Sequence, residues 1–147
     1  MIPPALAFIL LLSAAAAEPQ ASPAPGRRIF ISADMEGVAG VVTQEQLGPT
    51  GFDYKDAREW MTGEVLAAIQ GAREAGITEF VIADSHGGMQ NLLLDRLPRD
   101  VTVIRGTPRP LSMMQGLDAQ FDGVVFVGYH AGTTNAAGGR AHTFSRP

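Results

Sequence analysis

Four short, mostly apolar runs punctuate the chain, and each breaks abruptly into polar residues. They are IFISA at 29–33, FVIA at 80–83, VTVI at 101–104 and VVFV at 124–127. Their apolar positions are largely continuous rather than alternating, as in strands buried on both faces. Between the first two runs, Met61, Val65, Ala68, Ile69 and Ala72 recur at helical spacing. That stripe predicts an amphipathic helix starting near Tyr54, with Asp53 placed to cap it and Gly76 placed to end it. A short helix is expected over 89–96, ahead of Pro98, and one or two helical turns over 111–116. Strands that alternate with helices predict an α/β fold of three layers, a largely parallel sheet with helices on both faces.

The N-terminal stretch follows a different grammar. Residues 5–17, ALAFILLLSAAAA, form an apolar run ending in small residues. It is shorter than the roughly 20 residues of a membrane-spanning helix. It fits a signal peptide over 1–17, although no Lys or Arg precedes it. Residues 18–27 read as a disordered Pro/Ala linker and 28–147 as the folded domain. Export to the periplasm or medium is therefore expected, with no membrane attachment after cleavage. A cytoplasmic location follows if the signal is unused. The 147 residues suffice for one domain with a real core. The formal net charge is −4 and the arginines are scattered, so no basic stripe points to nucleic acid. Cysteine is absent, so a metal site here must rest on His, Asp and Glu.

In an open parallel sheet, ligands bind outside the carboxyl ends of the strands. Asp34 and Glu36 follow the first apolar run, Asp84 and His86 the second, and His130 the last; His142 lies a short loop further on. Topology alone thus carries every histidine toward one edge. Two acids at i and i+2 in extended backbone point to the same side and repel unless a cation joins them. Two imidazoles added to that pair make a mixed nitrogen and oxygen set suited to zinc, with manganese or cobalt as alternatives. Asp34 is placed to bridge two ions about 3.5–4 Å apart. Asp84 suits an outer role, orienting His86 through a hydrogen bond. Each feature alone has a plainer reading: a solvated turn, a helix cap or a surface histidine. Their co-location favours the metal site. Trp60 is expected to pack its helix, and Arg109 to be solvated rather than to meet a substrate carboxylate. No nucleophile elbow or Walker loop appears.

The stretches SADMEGVAG, MTGEVLAAIQGAREAG, VIADSHGGMQNLL, PRPLSMMQGLD, FVGYHAG and AHTFS together resemble the D-aminopeptidases of the DppA type, the zinc peptidases of family M55. They fall in the family's order and cover nearly all of 29–145. The resemblance implies a two-zinc hydrolase that releases N-terminal D-amino acids, such as D-alanine, from short peptides. It implies Asp34 as the bridging ligand, Glu36 as a ligand to one zinc, and His86 and His130 as the histidine ligands. It implies His142 as the catalytic histidine, described in the family as a nucleophile. On chemical grounds a base or a transition-state stabiliser is easier to defend, because a two-zinc site can supply hydroxide itself. Ring-like homodecamers are implied as well. Family chains run on past the catalytic histidine and supply a further glutamate ligand, so in this reading the chain is a fragment lacking the C-terminal half. Two other readings stand beside the peptidase: a phosphoesterase-like metallohydrolase on the same ligands, and an inactive metal-binding remnant.

Overall fold

The computed structural model describes residues 26–143. The expected signal peptide, and the linker up to residue 25, lie outside the described residues. Four parallel strands form one sheet in the order β3-β2-β1-β4. They are β1 (Arg27–Ala33), β2 (Ile77–Asp84), β3 (Thr102–Ile104) and β4 (Gly123–Val127). The first two are longer than their apolar cores. Arg27, expected in the linker, already pairs with Ile77.

Helix α1 (Tyr54–Glu74) lies on one face of the sheet. Its Met61, Val65 and Ile69 pack with Ile29, Ile31 and Ala33 of β1 and Phe80 and Ile82 of β2. The alternate residues Phe30, Val81 and Ala83 face the other side. There they meet Ile104 of β3 and Met114, Leu117 and Phe121 from the chain between β3 and β4. That segment holds one short 3-10 turn, Ser112–Met114. The α/β class with a parallel sheet is as expected.

Local details depart from the pattern. Asp53 precedes α1, but its side chain makes no cap bond. Its backbone (φ −104°, ψ 16°) is not the extended conformation that turns a capping carboxylate toward the first helical amides. Gly76 does take the left-handed conformation just past the helix, at φ 85°. The helix expected over 89–96 is reduced to a 3-10 turn, Leu94–Arg96. Its amides are taken elsewhere: Asn91 and Leu92 N–H donate to Asp84, and Leu93 N–H donates to Thr62 Oγ1.

Candidate metal centre

The sheet register builds the site. Ala33 of β1 is level with Asp84 of β2 and Val127 of β4. The ladder runs on past the strand ends through Ser85 N–H to Ala33 O (2.7 Å) and Asp34 N–H to Val127 O (2.8 Å). Asp34, Glu36, His86 and His130 therefore emerge side by side. Two glycines bring the first and last strands closer than side chains would allow. Gly37 N–H donates to Gly128 O at 2.7 Å. A Cβ on Gly37 would overlap the Tyr129 carbonyl, and one on Gly128 would overlap the Asp34 carbonyl.

One ring nitrogen of each histidine meets a backbone carbonyl, and the other faces a carboxylate. His86 Nε2 meets Leu47 O at 2.8 Å, leaving Nδ1 2.9 Å from Glu36 Oε2 and 3.4 Å from Asp34 Oδ1. His130 Nδ1 meets Ala131 O at 2.9 Å, leaving Nε2 3.7 Å from Asp34 Oδ2. His142 Nδ1 meets Arg140 O at 2.7 Å, leaving Nε2 3.8 Å from Glu36 Oε1. The His130 and His142 rings stack with centroids 3.5 Å apart. A carbonyl can only accept, so each nitrogen facing one carries the proton. In a neutral ring the other nitrogen then holds a lone pair aimed at carboxylate oxygens, which a proton or a metal must separate.

Electrostatics describe the same frustration. Burial pushes the Asp34 carboxyl upward, the Glu36 charge adds to this, and the His86 ring only partly offsets it. Burial also pushes Glu36 upward, but hydrogen bonds from His86 and Asp34 hold it at about 2. His86 is pulled down by burial and then lifted by Asp34 and Glu36 to about 10. Without a metal, the imidazolium of His86 is thus the cation between the two acids. One oxygen remains unanswered: Asp34 Oδ2 is buried with no hydrogen-bond partner. Ligand atoms of Asp34, Glu36 and His86 all lie within 4.8 Å of one another. This oxygen-rich set with imidazole, together with the orphaned oxygen, fits a divalent cation.

Asp84 does not touch the His86 ring, contrary to expectation. Its buried carboxylate accepts from Asn91 N–H, Leu92 N–H and Asn91 Nδ2. Asn91 Nδ2 also reaches His86 O at 2.7 Å, so Asp84 acts on the His86 backbone through Asn91. The ring is steered instead by Leu47 O, whose loop is pinned by Gln46 holding Val42 N–H, Thr43 N–H and Gly40 O. Arg109 is not solvated; it braces its own loop through Ile104 O and Gly106 O, both at 2.8 Å. Met61 is buried as expected, while Trp60 is partly exposed and lies over Gly40. Sequence reasoning missed a hydroxyl cluster below the site: Ser32 Oγ lies 2.7 Å from both Ser85 Oγ and Tyr129 OH. Its signal was position, because Ser85 and Tyr129 each directly precede a histidine at a strand end.

Residues 27–147 match the family model of the M55 peptidases, described as D-aminopeptidase. The chain belongs to this family. It is 36% identical over 104 residues to the D-aminopeptidase of Bacillus subtilis (strain 168), a match covering 71% of this chain and 38% of that protein. It also resembles the solved structure of the zinc-dependent D-aminopeptidase DppA from Bacillus subtilis, described as a self-compartmentalizing protease. That likeness has a TM-score of 0.76 at 34% identity, over 80% of this chain and 43% of the other. The M55 chain thus spans less than half the length of these relatives.

Proposed function

We propose that this chain carries the metal-binding residues of a zinc-dependent aminopeptidase that releases N-terminal D-amino acids, such as D-alanine, from short peptides. The observation that carries the reading is the convergence of Asp34, Glu36 and His86 around a buried, unpartnered carboxylate oxygen. Membership of the M55 family and the zinc dependence of DppA give it its chemistry. Asp34, Glu36 and His86 would hold the metal, with His130 beside Asp34 as a further ligand. Zinc held there would supply Lewis acidity toward the scissile carbonyl and lower the pKa of a water.

The surrounding residues prepare that chemistry. Leu47 O and Ala131 O fix the ligand rings in one tautomer and orientation. The Ser32, Ser85 and Tyr129 hydroxyls stiffen the floor under Asp34. His142, with its Nδ1–H held by Arg140 O, turns Nε2 toward Glu36 Oε1, 3.8 Å away. This suits a base that takes a proton from the attacking water and returns it to the leaving amine. The test is hydrolysis of D-alanine amide against L-alanine amide, with and without chelator. Equal rates for the two enantiomers, or indifference to the chelator, would sink the reading.

Stoichiometric zinc with no release of D-alanine would instead favour zinc binding without turnover. We further propose export through residues 1–17 and assembly with other copies, in line with the self-compartmentalizing relative. The mass of the mature N-terminus checks the first, and sedimentation the second.

A further inference from the structure

We propose that Arg140 anchors the C-terminal carboxylate of the substrate, so that this site selects very short peptides with a free carboxylate next to the scissile bond. This rests on the D-aminopeptidase reading above. Two open cavities flank Glu36. One, of about 530 Å³, is lined by Glu36, Tyr129, His130 and Arg140 among others. The other, of about 440 Å³, is lined by Glu36, Gln44, His142 and Arg140 among others. Among the described residues, Arg140 is the only Lys or Arg lining either one. Whichever cavity receives the peptide, its cation is the same.

Several features set this arginine apart. It is half-buried, and its backbone is left-handed (φ 50°), a costly conformation for a residue with a side chain. Its carbonyl accepts the His142 Nδ1–H, so the catalytic candidate and the arginine are held in one local geometry. Its guanidinium makes no hydrogen bond or ion pair among the described residues. Two other arginines nearby are committed. Arg58 donates to Asn91 O at 2.6 Å, and Arg109 braces Ile104 O and Gly106 O.

The chemistry requires such a group. An edge carrying Asp34 and Glu36 repels any anion beyond the charge that the metal neutralises. A dipeptide places its carboxylate about one residue, roughly 3.5 Å of chain, from the bond to be cut. A cation that meets it must therefore stand beside the ligands, and a guanidinium can grip a carboxylate through two parallel hydrogen bonds.

The test measures binding rather than turnover. The probes are the reduced-amide isostere of D-alanyl-D-alanine, which cannot be hydrolysed, and its C-terminal carboxamide. Both are titrated by calorimetry into the full chain in zinc-containing buffer. The wild-type chain is expected to prefer the carboxylate by about tenfold to a hundredfold. Arg140→Gln abolishes that preference without weakening the carboxamide, and Arg140→Lys restores part of it. No preference in the wild type, no binding of either probe, or a preference that survives Arg140→Gln overturns the proposal. Failure of the peptidase reading looks different: D-alanyl-D-alanine, which carries the carboxylate, goes uncut while the binding preference persists.

Discussion

Asp34 and His86 set the balance of the site residue by residue. Asp34 is 2% exposed and has an oxygen without a partner, so its charge is tolerated only for what it binds. Asp34→Asn removes a charge that burial already disfavours. The metal-free variant should melt no lower than wild type, while zinc affinity measured by calorimetry falls at least tenfold, the scale of losses around metal sites. A lower melting temperature without zinc would show that Asp34 is structural. His86 gives a pH signature. Its pKa in the folded chain, about 10, lies above the unfolded value of 6.5. The stability it contributes is therefore complete below pH 6.5 and disappears as pH rises toward about 10. The raised Asp34 value acts in the same sense. Glu36, held at about 2, contributes above 4.5 and loses its share as pH falls through 2. In chelator, calorimetry should show the melting temperature declining from pH 6.5 upward. Zinc competes with the proton on Nδ1, so the increment it adds should grow over the same range. A constant increment would contradict the ion pair described here.

Among the elements, the junction of β1 with β4 decides the spacing of ligands. Gly37 and Gly128 lie against each other's chains where a methyl group has no room. Gly37→Ala must push the Asp34–Glu36 turn away from His130, and should cost about 1–3 kcal/mol, as overpacking does. It should also weaken zinc binding. Gly63 in α1 is the control, since a Cβ there meets nothing within 4 Å. Gly63→Ala should stabilise the chain by about 0.8–1 kcal/mol through helix propensity and leave zinc binding unchanged. Urea denaturation with parallel zinc titration checks the pair, and equal effects of the two substitutions would refute the close-approach account.

For the whole molecule, the exposed face is β4. Val124, Val125 and Phe126 are 38%, 36% and 55% exposed, and successive strand residues point to opposite sides. Among the described residues this edge strand is therefore uncovered on both faces, although its composition is that of an interior strand. Such an edge invites association. The chain is expected to self-associate in sedimentation velocity runs at micromolar concentration, and Phe126→Lys to shift it toward monomer. Association unaffected by that change would place the contact elsewhere.

The sequence by itself determined the α/β class, the apolar strand cores, the buried stripe of α1 and the strand-end positions of the acids and histidines. These follow from periodicity and from the rule that parallel strands end together, both local or topological properties. It did not determine the fate of 89–96, because the competitors for its amides, Asp84 and Thr62, lie outside the segment. Nor did it reveal that Asp84 reaches His86 only through Asn91, or that Leu47 O orients the ring. Only the tertiary structure decided which nitrogen of each histidine faces the carboxylates. A tautomer is set by a hydrogen bond to backbone that sequence distance does not disclose: Leu47 lies 39 residues from His86.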